Sequence, residues 1–164
     1  MKSILFISIL LIALLLPAYG QEQPVSRFGK LDIRDKPDEF KHSLFFNDKE
    51  VFQYEGQSID ILEMLKGSGR DFAIIAAYSG GIACPAQVVV VEILKSGQCK
   101  VSEQFGSCSD LIDARLRNNR VIVETPAYVP HPDLISKRQL KRLEKLKEVY
   151  TWYEGRLVKK VVAR

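Results

Sequence analysis

The chain reads as an α+β fold: a single domain dominated by antiparallel β-hairpins, with a short helix near 58–66 and a second near 137–148. Three observations predict it. A hairpin between Ser79 and Asp110 can be registered by counting outward from its turn. Asp71–Tyr78 is apolar after its first residue, as in a central strand buried on both faces. Ser136 and Gln139 form a capping-box pattern ahead of Leu140, Leu143 and Leu146, an apolar stripe at helical spacing.

The first twenty residues form a secretory leader. Lys2 supplies a positive start, Ile4–Leu16 is apolar except for Ser8, and Pro17 precedes Ala18-Tyr19-Gly20. Small residues at Ala18 and Gly20 suit cleavage before Gln21, which makes the protein periplasmic. The apolar run is about thirteen residues, short of the roughly twenty that span a bilayer, so no stable membrane span is expected after cleavage. An uncleaved anchor is the competing reading. Residues 21–164 suffice for one ordinary domain and are too few for two.

The elements follow in order. Phe28–Ile33 alternates as a first strand, and Asp35-Lys36-Pro37-Asp38 is a turn cluster. Leu44–Phe46 and Val51–Tyr54 flank Asn47-Asp48-Lys49 as a hairpin. Ile59, Leu62 and Leu65 repeat at helical spacing between Ser58, a cap, and Gly67, a terminator. Beyond the central strand and the counted hairpin, residues 112–116 and 121–124 flank Arg117-Asn118-Asn119-Arg120 as a further hairpin. Pro126, Pro130 and Pro132 mark a loop ahead of the second helix. Two last strands, Val149–Tyr153 and Arg156–Val162, are joined by Glu154-Gly155.

Counting the hairpin also addresses its cysteines. With Lys95-Ser96-Gly97 as the loop and Gly97 left-handed, Glu92 faces Lys100, Val91 faces Val101 and Val90 faces Ser102. Cys84 then falls opposite Cys108, while Cys99 faces Ile93 near the loop. A two-residue loop would need Ser96 at positive φ and would put Cys84 and Cys108 on opposite faces. The expected bridge is therefore Cys84–Cys108, with Cys99 reduced beside Val91, Ile93 and Val101.

Catalytic chemistry finds little support. There is no Cys-x-x-Cys motif, and three cysteines with two histidines lack structural zinc spacing, so no cofactor and no metal are expected. His42 and His131 read as exposed loop residues. Ser79, Gly80, Gly81, Ser107, Ser109 and Asp110 converge at the stapled end, either as a polar pocket or as turn residues at strand ends. Ser79 lacks the Gly-x-Ser-x-Gly frame of a hydrolase nucleophile.

Charge is distributed unevenly. The formal net charge is +4, but residues 137–164 hold ten Lys or Arg against three Glu. Lys137, Arg138, Lys141, Arg142, Lys145 and Lys147 surround the leucine stripe. They form either a contact surface for an acidic protein or anionic lipid, or a solvated face whose leucines dock on the sheet. Nucleic acid is not an expected partner, because the run lacks interleaved aromatics.

Gly80-Gly81-Ile82-Ala83-Cys84-Pro85 and Phe105-Gly106-Ser107-Cys108-Ser109-Asp110 resemble the Gly-Gly-x-x-Cys-Pro and Phe-Gly-x-Cys-Ser-Asp pair of a group of small, uncharacterised periplasmic proteins of Gram-negative bacteria. The likeness covers chiefly residues 71–125 and the final hairpin; Cys99 and the basic helix depart from it. It implies the same bridge and compartment and supplies no activity. The expected function is non-catalytic binding or interaction, with a periplasmic or cell-envelope protein as partner. The alternatives are an inhibitor or immunity-type protein acting on a cell-wall hydrolase, and a hydrolase using Ser79 or Asp110.

Overall fold

The computed structural model describes residues 25–36, 39–81, 84–130 and 132–164. The expected leader, part of the Asp35–Asp38 turn cluster, Ile82, Ala83 and His131 lie outside the described residues.

Eleven strands form three antiparallel sheets among these residues. The first contains β1 (Leu31–Lys36), β2 (Lys41–Phe46) and β3 (Lys49–Glu55). The second, in spatial order, is β4 (Ser58–Lys66), β5 (Arg70–Tyr78), β6 (Ala86–Leu94) and β7 (Cys99–Val101). The third comprises β8 (Asp113–Arg117), β9 (Arg120–Pro126), β10 (Leu146–Tyr153) and β11 (Arg156–Ala163), with β11 and β8 at its edges. A 3-10 turn (Pro132–Leu134) and helix α1 (Lys137–Leu143) lie between β9 and β10. No helix among the described residues is long and apolar enough to cross a membrane.

The second sheet lies between the other two, which explains the apolar runs 72–77 and 88–91 of its two central strands. Ala73, Ile75, Val89 and Val91 face Leu44 and Phe46 of the first sheet. Phe72, Ile74, Val88 and Val90 face Val121, Val123, Tyr150 and Trp152 of the third. Each apolar set excludes water from a different core, so both faces of β5 and β6 must be apolar.

The expected helix near 58–66 is instead strand β4. Its register against β5 slips between Ile61 and Glu63, leaving Leu62 as an extra, exposed residue. Before the bulge, Ile59 and Ile61 join the first core; after it, Met64 joins that core and Leu65 joins the second. One inserted residue thus turns strand alternation into a spacing of three that mimics a helix.

The second helix is present but ends at Leu143 rather than near 148. Its capping box forms as expected: the Gln139 N–H donates to Ser136 Oγ at 3.3 Å, and the Ser136 N–H donates to Gln139 Oε1 at 2.9 Å. The later residues belong to β10, which gains ladders on both sides and buries Glu148, Tyr150 and Trp152 by alternation. The first strand starts three residues later than expected, because Ser26 and Arg27 are drawn into a turn that binds Asp71.

The counted hairpin has the expected turn, with Gly97 at φ +82° and hydrogen bonds in both directions between Leu94 and the loop end. Val91 faces Val101, Glu92 faces Lys100 and Ile93 faces Cys99. Regular pairing then gives way. Val90 still bonds Ser102, but Val88 pairs with Phe105, which shifts the register by one residue. Gly106 at φ +114° and Cys108 at φ +61° bend the returning chain, and the Cys84–Cys108 disulfide forms across a Cα separation of 4.2 Å.

Candidate functional site

At the stapled end, turn geometry engages the hydroxyls that could have lined a pocket. Ser79 Oγ donates to the Cys84 carbonyl and accepts the Gly81 N–H at 3.1 Å, so that amide is not presented outward. Gly80 adopts φ +77° close to the Gln57 side chain. Ser107 is buried, donates to the Pro126 carbonyl and lies 3.0 Å from the Thr125 hydroxyl. Ser109 Oγ accepts the Leu111 N–H at 3.1 Å, and the Asp110 carbonyl accepts that of Ile112. Asp110 is exposed. Burial, and then the charges of Asp60 and Asp110, push the nearby Tyr78 hydroxyl above its ordinary range.

His42 is not an exposed loop residue. It lies in β2 at an inward-facing position, 6% exposed, because alternation along Lys41–Phe46 buries His42, Leu44 and Phe46 together. Its Nδ1 is 2.8 Å from Asp35 Oδ1 and its Nε2 is 3.1 Å from the Gly56 carbonyl. Both ring nitrogens are engaged by those partners. His131 lies outside the described residues.

Cys99 is the free thiol, half-buried against the first core with Val91, Ile93 and Val101. Burial raises its thiol, and Lys49 only partly offsets this. Less thiolate and restricted access both slow alkylation. One thiol per native chain is expected to react with a disulfide-exchange reagent, more slowly than a small-peptide cysteine. Three thiols reacting without reductant would contradict the bridge.

The basic helical segment is solvated. No residue of α1 is buried, and Leu140 and Leu143 are only half-covered, so the docked leucine stripe is incomplete. Lys137, Arg138, Lys141 and Arg142 lie on the helix, and Lys145 follows it; none has a carboxylate partner among the described residues. The segment adjoins the end of β11, since the Arg164 N–H donates to the Lys145 carbonyl at 2.8 Å.

A second basic feature, not anticipated from the sequence, lies on the outer face of the third sheet. Arg117 pairs with Arg120 at one hairpin end, and Tyr153 pairs with Arg156 at another. The β9–β10 register brings these ends together, with the Arg120 guanidinium 4.6 Å from the Tyr153 ring centre. The resulting row is Arg117, Arg120, Tyr153, Arg156. Arg117, Asn118, Arg120, Ile122, Thr151 and Tyr153 line an open cleft of about 380 Å³ beside it.

Among the described residues, this row shares the lack of a carboxylate partner with Arg138, Arg142 and Arg164 and differs in this from four other arginines. Arg27, Arg34, Arg70 and Arg115 each pair with a carboxylate. Arg117, Arg120 and Arg156 have none among the described residues. Planar guanidinium groups beside an aromatic ring suit a carboxylate or phosphate, which they can bind through paired N–H donors.

Comparison of this chain with protein-family models, with curated proteins and with solved structures finds no match.

Proposed function

We propose that the mature chain is an exported, periplasmic, non-catalytic binding protein that holds an acidic protein of the cell envelope on its C-terminal sheet. The unpaired row of Arg117, Arg120 and Arg156 around Tyr153 carries this reading. Export is supported by the leader and by a disulfide, which persists in oxidising compartments. A binding role is favoured over a hydrolase because Ser79 and His42 are each engaged in local structural bonds.

A capped polyglutamate peptide serves as the probe. Its affinity should fall with added salt, and the Arg117→Ala/Arg120→Ala/Arg156→Ala variant should bind about tenfold more weakly while melting like the parent. Equal affinity in parent and variant would remove the row from the function.

The inhibitor or immunity-type alternative has one observation in its favour. Tyr128 and Leu134, in the connection between β9 and α1, are 52% and 77% exposed, as suits a segment entering an enzyme groove. Loss of inhibition of a cell-wall hydrolase on Tyr128→Ala, with peptide binding retained, would select it.

A further inference from the structure

We infer that β11 accepts an extended acidic segment of that partner as a fifth strand of the C-terminal sheet, a proposal that rests on the binding function above and specifies the partner's chemistry. β11 is an edge strand, and seven of its eight residues are exposed, Leu157 being the exception. Val158 and Val161 are each 53% exposed.

The direction of its free backbone groups follows from one hydrogen bond. Because the Arg164 N–H points to Lys145, antiparallel pairing turns the backbone groups of residues 156, 158, 160 and 162 toward β10. Those of Leu157, Lys159, Val161 and Ala163 point outward. This is a ready template for strand addition.

Charge selects the occupant. The outer face of the strand reads Arg156, Val158, Lys160, Val162 and then Arg164, with cation and valine alternating. These three cations lack carboxylate partners among the described residues, whereas Lys159, on the inner face, is held 2.8 Å from Glu148. β11 contains no acidic residue, so a second copy laid along it meets no opposite charge in any register. The complementary segment carries carboxylates four residues apart on one face, with an apolar or β-branched residue midway between them. One carboxylate then reaches Arg156, at the end of the arginine row.

The test uses the oxidised, leader-free chain and a capped Glu-Thr-Val-Thr-Glu peptide. Saturation should slow amide exchange at Leu157, Lys159 and Val161 by about tenfold or more, consistent with new inter-strand bonds. Val161→Pro removes an outward N–H that β10 does not use, and should weaken binding about tenfold; Val161→Thr should not. An N-methylated peptide with the same charges should bind as poorly as the proline variant does. Unchanged exchange at the three amides would overturn strand addition, without reliance on any variant. Binding that survives Val161→Pro but is lost with the arginine row would overturn it while leaving the binding function intact. Failure of both this peptide and polyglutamate would overturn the binding function itself. Capture by phosphatidylglycerol vesicles that excess peptide does not reverse would replace the protein partner with a membrane.

Discussion

Arg27→Ala is expected to destabilise the protein by about 3 kcal/mol, the low end of the range for a buried ion pair, because the guanidinium is 44% exposed. Asp71 lies in β5 with no side-chain exposure. Arg27 Nε is 2.9 Å from Asp71 Oδ1, its second guanidinium nitrogen is 2.6 Å from the same oxygen, and its backbone N–H donates to Oδ2 at 2.7 Å. The Ser26 hydroxyl adds a bond at 3.0 Å. Removing the guanidinium leaves the Asp71 carboxylate with only the N–H and hydroxyl donors. Asp71→Asn removes the charge but keeps an acceptor, so it should cost less, about 2 kcal/mol. The ordering of the two variants distinguishes a stranded charge from a lost contact.

The pH dependence has a definite sign. Burial alone would raise the Asp71 carboxyl, but hydrogen bonds from the Arg27 side chain, its backbone and Ser26 outweigh burial and hold it below the ordinary range. A depressed carboxyl contributes stability that is present above its unfolded value, about 3.9, and lost as pH falls through the lower folded value. Urea melts should therefore show the full parent–Arg27→Ala gap at neutral pH and a shrinking gap below about pH 4. A constant gap across that range would contradict the assignment. Glu124 adds to the acid sensitivity in the same direction, since hydrogen bonds from Arg115 and then Lys147 lower its carboxyl.

The Cys84→Ser/Cys108→Ser variant should lose about 3 kcal/mol in the chain-entropy description, lowering Tm on the order of 10 °C. The bridge spans a sequence separation of 24 and closes the hairpin at its open end, where ladder pairing has already slipped. Release should also fray the turns that engage Ser79 and Ser109. Since the unfolded chain becomes less compact, the urea m-value should rise as the midpoint falls. An unchanged midpoint would mean that the ladder alone closes this end.

Features set by neighbours in sequence were legible. Asn47-Asp48 and Glu154-Gly155 take left-handed conformations in tight turns, and Gly97 fixes the register that brings Cys84 and Cys108 to the same hairpin end. The Ser136 cap also depends only on residues within one turn. Misreadings arose where a local pattern had two solutions. A single bulged residue, Leu62, gave β4 the apolar spacing of a helix. Leu146 continued the leucine stripe but pairs with Ala163, because two ladders outweigh a further helical turn.

The candidate site shows the same division. Arg117-Asn118-Asn119-Arg120 and Tyr153-Glu154-Gly155-Arg156 are each readable as turns. That they meet depends on β9 pairing with β10 across the loop and helix between them, a long-range match that neither turn encodes. The burial of His42 likewise depends on which face of β2 covers the core, and the Pro/Asp-rich surroundings concealed it.

The most direct measurement of the binding surface is a backbone amide map of the oxidised, leader-free chain during titration with the Glu-Thr-Val-Thr-Glu peptide. The largest shifts are expected at Arg117, Arg120, Tyr153 and along Arg156–Arg164. Shifts confined to Ser79, Gly80, Gly81, Ser109 and Asp110, with the C-terminal sheet unmoved, would return the site to the stapled end and contradict the account.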